Sequence, residues 1–291
     1  MAATSSTIEK APGCGAYVSD IDLARLGDAD ARALKAALFD HGVLFFRGQT
    51  LTRDDHVRLA EQLGEVDVNR YFPADADYPM IAKVEKTAEQ KSNIGGGWHT
   101  DHSYDAAPAL GSILVARDLP PAGGDTLFAD LYAAFETLDD ATKAEIAGLK
   151  AVHGTEHVFG EGGAYAKSDQ TALARPEAEM PETTHPVVIR HPGSGKPALY
   201  VNPAFTLRFE GMTRDESLPL LMRLFAHAID GSRVHRFAWT PGSVAIWDNR
   251  ATWHFALNDY HGQRRHMRRV TVDPWPADAP AATARTAEAV S

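Results

Sequence analysis

Trp98-His-Thr-Asp-His102 carries an imidazole and a carboxylate two residues apart, at His99 and Asp101. In an extended chain such positions share a face, so the pair could hold one cation. A further imidazole stands at the end of Val244-Ala-Ile-Trp-Asp-Asn-Arg-Ala-Thr-Trp-His254, which reads as an apolar strand, a turn and a second short strand. Two neutral imidazoles and one carboxylate make the facial triad that holds Fe(II) and leaves three coordination positions open. A structural zinc site with four protein ligands leaves none. Read singly, His99 and Asp101 could be a chance pair, and His254 a core histidine satisfied by backbone groups.

Eleven residues beyond His254 stands Arg265, inside Gln263-Arg-Arg-His-Met-Arg-Arg-Val-Thr-Val272. A planar guanidinium suits bidentate pairing with a carboxylate, although a solvated basic turn would look the same. Thr126, in Gly123-Gly-Asp-Thr126, offers a hydroxyl donor to such a carboxylate, or is simply a β-former after a turn. Arg269 lies four residues past Arg265, an even spacing that puts both on one face of a strand.

Elements must bring these groups together. Ala31 to Phe39 has helical periodicity, Gly42-Val-Leu-Phe-Phe46 reads as a buried strand, and Thr52 with Asp55 forms a capping box, so the chain is expected to open as helix, strand, helix. From Ile81 onward short apolar runs alternate with Gly and Pro: Ile113 to Ala116, Thr126 to Ala129, Val187 to Ile189, Leu199 to Val201, Val244 to Trp247 and Arg269 to Val272. That pattern predicts an antiparallel sandwich or jelly roll, interrupted by one helix over Leu131 to Leu149 and another from Thr213 toward Ile229. Residues 153–184 are Gly-, Ala- and charge-rich with little periodicity and are expected to form a mobile lid. One domain is expected over 1–273, followed by a flexible tail over 274–291.

With 29 Lys+Arg against 39 Asp+Glu the formal charge is −10, which disfavours nucleic acid as a partner. Four arginines between Arg264 and Arg269 could still attract a small anion. A single cysteine, Cys14, allows no intramolecular disulfide, and neither a basic-then-apolar leader nor a run of about 18 apolar residues is found. A cytoplasmic protein is expected, with a small-molecule substrate, no membrane partner, and a homo-oligomer (dimer or tetramer) left open.

The ordered set of His99-x-Asp101, Gly-Gly-Asp-Thr126, Trp-Asp-Asn-Arg250 leading to His254, and Gln-Arg-Arg265 resembles the TauD/TfdA (taurine dioxygenase) family. The resemblance extends to His41-Gly-Val-Leu-Phe-Phe-Arg-Gly-Gln49, His185-Pro-Val-Val188 and Leu199-Tyr-Val-Asn202. It implies a mainly β fold, a double-stranded β-helix (jelly roll) core with flanking helices. It further implies His99, Asp101 and His254 as catalytic iron ligands, Thr126 and Arg265 as contacts to 2-oxoglutarate, and O2 as second cosubstrate. The implied reaction hydroxylates a C–H bond while 2-oxoglutarate becomes succinate and CO2, and a hydroxylated carbon bearing a heteroatom collapses with bond cleavage. Asp101 argues against halogenation, because halogenating relatives carry a small residue there.

The resemblance also implies that Arg269 grips an anionic substrate. Taurine-specific members have a histidine where Asn69 most nearly stands, so the substrate contacts expected here, namely Arg269, Asn69, His102, Tyr104, Phe159 and Phe205, suit a bulkier or aromatic carboxylate at least as well as taurine. The glycines of Asn93-Ile-Gly-Gly-Gly97 are expected to let substrate approach the backbone. Larger natural-product substrates are a further alternative. A zinc hydrolase lacks a His-Glu-x-x-His signature, a nucleotide-binding enzyme lacks a P-loop, and a non-catalytic anion-binding jelly roll would not need all three ligands and Arg265.

Overall fold

Four apolar residues in a row, Val43–Phe46, form a strand with no exposed face. Val43 and Phe45 point into one apolar cluster and Leu44 and Phe46 into another. The strand is therefore covered on both sides, by helices outside and by a second sheet inside. The computed structural model describes residues 6–175 and 179–273; the predicted tail over 274–291 lies outside the described residues.

The larger sheet has eight strands, ordered Thr7–Lys10, Ala16–Ser19, Val43–Phe46, Val244–Asp248, Gly111–Asp118, Arg265–Asp273 and Glu65–Asp67, with Ala82–Lys86 also pairing to Arg265–Asp273. All pairings are antiparallel except Ala16–Ser19 with Val43–Phe46. The inner face of this sheet packs on a three-stranded sheet, Val234–Phe237, Thr126–Asp130 and Thr252–Ala256, through Phe45, Phe128, Phe237, Trp247 and Met267. A second three-stranded sheet (Thr206–Phe209, Lys150–His153, Thr183–Pro186) and a hairpin (Val188–Arg190, Pro197–Leu199) complete the jelly roll. Helices Asp28–His41 and Arg53–Leu63 cover the large sheet, and Leu131–Glu136 and Arg214–Ala228 cover the smaller one. Both predicted capping boxes, Thr52 with Asp55 and Thr213 with Glu216, are formed.

Three expectations are corrected. The chain opens with a hairpin before its first helix; Thr7–Lys10 is exposed at every position and so carries no apolar alternation to signal a strand. The helix expected over Leu131 to Leu149 is two, Leu131–Glu136 and Asp140–Ile146. Its break follows from Asp139, whose carboxylate accepts the Thr142 amide at 2.7 Å and caps a new helix start. Finally, His99 and Asp101 do not lie in a continuous strand: His99 makes an isolated bridge and Asp101 begins a turn.

The arginine cluster divides by strand alternation. Arg265 and Arg269 are buried with Met267 on the inner face, while Val270 and Val272 face the helices. Arg264 and Arg268 take acidic partners outside, Glu85 and Asp118 for the first and Asp75 for the second.

Candidate active site

His99 and His254 are held by reciprocal backbone hydrogen bonds: the His254 amide donates to the His99 carbonyl at 2.8 Å and the His99 amide donates back at 3.2 Å. The bridge brings their ring centroids to 4.0 Å. Asp101 closes the group, with Oδ1 3.8 Å from His99 Nε2 and Oδ2 3.8 Å from His254 Nε2. One ligand atom from each lies within 4.8 Å of the others. His99 Nδ1–H donates to the Gly97 carbonyl at 2.7 Å, which leaves the lone pair on Nε2 toward Asp101. Gly95 crowds the same ring: its φ is +75°, and a Cβ there would lie 3.2 Å from His99 Cε1. The glycine lead-in thus serves the histidine as well as any substrate.

Burial pushes the Asp101 carboxyl up, but Arg269 and the neighbouring His254, His99 and His102 outweigh it and hold the group well below the ordinary carboxylate range. Burial, reinforced by His99 and Arg269 against the opposing pull of Asp101, holds His254 well below the ordinary imidazole value. An ionised carboxylate and a neutral imidazole are the forms a metal requires. Two imidazoles and one carboxylate form a donor set suited to Fe(II).

The Asp248-Asn-Arg250 turn ties the two ligand segments together. Thr100, between His99 and Asp101, donates its hydroxyl to the Asn249 carbonyl. The Asn249 side chain accepts the Trp247 indole N–H at 3.0 Å, and the Trp247 ring lies 4.7 Å from His254. Below, Arg250 is bidentate on Asp248, whose Oδ2 also meets His191 Nε2 at 2.9 Å; all three side chains are buried.

Arg265 and Thr126 come from strands of different sheets and line the same cavity. Arg265 Nε donates to the Gly124 carbonyl at 3.0 Å, and its Nη2 is buried without a partner. Burial holds this guanidinium below its ordinary value despite Tyr260 and Asp125, so it lacks a close counter-anion. The Trp239 indole N–H donates to Thr126 Oγ1 at 3.0 Å, which turns the threonine's own proton away from Trp239. Gly124 has φ +72°, and a Cβ there would approach Arg265 Cδ to 3.0 Å. A buried, unpaired guanidinium nitrogen beside a free hydroxyl proton suits a carboxylate.

Arg269 donates from Nη1 to Asp101 Oδ2 at 3.1 Å, and its guanidinium lies 4.2 Å from the Phe72 ring. Its Nε and Nη2 are buried without partners. The triad, Thr126, Arg265 and Arg269 all line one cavity of about 510 Å³, whose wall also includes Phe72, Tyr104, Phe159, Tyr165 and Phe205.

Residues 7–271 match the model of the taurine catabolism dioxygenase TauD, TfdA family. The chain belongs to this family. It is a 2-oxoglutarate-dependent dioxygenase, and hence an oxidoreductase. It is 34% identical over 264 residues to an alpha-ketoglutarate-dependent sulfate ester dioxygenase of Pseudomonas putida, covering 89% of this chain and 86% of that one. It is 31% identical over 281 residues to the alpha-ketoglutarate-dependent 2,4-dichlorophenoxyacetate dioxygenase of Cupriavidus pinatubonensis, covering 89% and 94%. Among solved structures, a taurine dioxygenase from Burkholderia xenovorans superposes with a TM-score of 0.76 at 31% identity, over 95% of this chain and 96% of the other.

Two of the residues expected at the dioxygenase's substrate site are not brought to the cavity. Asn69 turns its side-chain oxygen back to accept the amides of Tyr71 and Phe72 at 3.0 and 3.2 Å. His102 has a positive φ of 61° and its Nδ1–H donates to Asp105 Oδ2 at 2.8 Å; its side chain does not line the cavity. Tyr104, Phe159 and Phe205 do line the cavity. The segment expected as a lid contributes Val158, Phe159, Ala164, Tyr165 and Ser168 to the wall, from a short helix Glu156–Phe159 and the turns after it. Trp239, Phe72 and Tyr165 were not signalled in advance. Trp239 has no spacing relation to Thr126, and only the pairing of Val234–Phe237 with Thr126–Asp130 brings it near. No described helix is long and apolar enough to cross a membrane.

Proposed function

We propose that this dioxygenase holds Fe(II) through His99, Asp101 and His254, binds the far carboxylate of 2-oxoglutarate with Arg265 and Thr126, and hydroxylates a small organic anion with a bulky or aromatic body. The observation that carries the substrate reading is Arg269: two buried guanidinium nitrogens without acceptors, on the triad side of a cavity walled by aromatic rings. Buried N–H donors left without acceptors are costly unless an anion meets them, and aromatic walls favour an apolar body on that anion. Relatives named for sulfate esters and for 2,4-dichlorophenoxyacetate support the same class.

The chemistry the iron supplies when bound is O2-dependent oxidation, which splits 2-oxoglutarate into succinate and CO2 and hydroxylates a substrate C–H bond. The protein's own part is positioning and exclusion of water. Arg265 and Thr126 fix the cosubstrate from its far end, so its 2-oxo acid end is directed at the triad. Arg269 fixes the substrate's anionic head within reach of Asp101, and Tyr104, Phe159 and Phe205 hold its body. Residues 153–175 act as the described part of a lid: Asp169 accepts the amides of Lys91 and Ser92, and Gln170 donates to the Ser92 carbonyl at 3.0 Å, clasping it to the glycine lead-in.

Under anaerobic conditions Fe(II) with 2-oxoglutarate should give a weak metal-to-ligand charge-transfer band that His99→Ala abolishes. A panel of aryloxyalkanoates, sulfate esters, alkylsulfonates and uncharged terpenoid or amino-acid derivatives, read as succinate formed, should favour anions with bulky apolar bodies over taurine. Turnover confined to uncharged compounds would refute the assignment of Arg269.

A further inference from the structure

We infer that Arg269 couples the occupancy of the substrate site to the affinity of the metal site. Its guanidinium is shared. Nη1 donates to Asp101 Oδ2 at 3.1 Å, while Nε and Nη2 have no protein acceptor. Asp101 Oδ2 is also the carboxylate oxygen nearest His254, at 3.8 Å from Nε2. Both partners are almost fully buried, Asp101 at 7% and Arg269 at 5% exposure, so their charges are weakly screened. The inference rests on His99, Asp101 and His254 being the metal ligands.

The sign follows from charge. With no substrate anion, the Arg269 cation draws on the carboxylate that must donate to the metal and stands as a like charge beside it. Both effects weaken metal binding. An anion seated on Nε and Nη2 neutralises the guanidinium from the other side. Asp101 then regains donor strength and the metal is bound more tightly. Reciprocity requires that the metal tighten the anion by the same factor. The Phe72 ring, its centroid 4.2 Å from the guanidinium carbon, packs against Arg269 beside Asp101.

The test measures Mn(II) dissociation constants by anaerobic calorimetry, with 2-oxoglutarate saturating throughout so that Arg265 is already engaged. Phenoxyacetate is the anionic probe, and anisole, which keeps the ring and lacks the charge, is its control. Phenoxyacetate should tighten Mn(II) about five-fold or more, the lower range for coupled sites, and anisole should not. Arg269→Gln should bind Mn(II) more tightly than the wild type without any anion and respond to neither compound; a purely structural role would weaken metal binding instead. Arg269→Lys, which keeps the charge, should stay weak without the probe. The coupling is overturned if phenoxyacetate leaves the wild-type Mn(II) constant unchanged, whether because it does not bind or because it binds without effect, while His99→Ala still abolishes Mn(II) binding. Undiminished Mn(II) binding by His99→Ala would instead bring down the metal-site assignment itself. The wild-type comparison needs no variant to fold.

Discussion

Trp239 illustrates how a residue with no legible role can decide a site. Its indole N–H commits Thr126 Oγ1 as an acceptor, and the Arg265 guanidinium lies 5.8 Å from its ring. One side chain therefore orients both groups proposed for the far carboxylate of 2-oxoglutarate. Trp239→Phe keeps an aromatic side chain and removes the donor, and an unpaired buried hydroxyl costs about 1–3 kcal/mol. The expected outcome is a KM for 2-oxoglutarate raised several-fold or more, with kcat at saturation close to wild type. A loss confined to kcat would assign Trp239 elsewhere. The iron-ligand candidates, by contrast, were legible from their residue types because ligands must be imidazole or carboxylate. Asn69 and His102 were not: what a polar side chain near the site does depends on which backbone amide or carboxylate it reaches first, and both found local partners.

At the scale of elements, strands with two buried faces were the easiest to find, because Val43–Phe46 and Val244–Asp248 cannot bury such runs otherwise. The edge strand Thr7–Lys10 has no buried face to mark it, and the helix break depends on a single cap at Asp139. The turn between Val244–Asp248 and Thr252–Ala256 is the element on which the site depends most. Its Asp248–Arg250 pair sits at 0% and 2% exposure, with burial pushing the Asp248 carboxyl up while Arg250 and His191 hold it well below the ordinary range. Removing one partner of a buried pair leaves an uncompensated charge, at about 3–5 kcal/mol. Arg250→Met should therefore lower unfolding free energy in urea by roughly that amount. Because the same turn accepts the Thr100 hydroxyl, the variant should also bind Mn(II) more weakly while remaining folded at low temperature. Unchanged metal affinity in a destabilised variant would separate the turn from the ligands.

Six of the thirteen histidines are buried, and that sets how the whole molecule should respond to acid. His56 is held at about 4, first by burial and then by Arg268 and Arg117, against a hydrogen bond to the Ile113 carbonyl at 3.1 Å. His153 is held at about 3 by burial and by His185. Both are neutral in the folded state and protonate near 6.5 once unfolded. Between those values the unfolded chain binds more protons, so stability is full above about pH 6.5 and falls as pH drops toward 4. A shift of the size seen at His56 corresponds to roughly 3 kcal/mol across that window. The depressed carboxyls of Asp101 and Asp248 extend the loss to lower pH, while Asp130, whose carboxyl burial raises, acts in the opposite sense. Urea titrations of the metal-free protein at pH 7 and pH 5 should give a lower unfolding free energy at pH 5. His56→Gln, which keeps a donor for Ile113 and does not titrate, should reduce the difference. A wild-type stability that is flat between the two values would mean that these imidazoles protonate within the fold, and that the interior around the helix Arg53–Leu63 admits water.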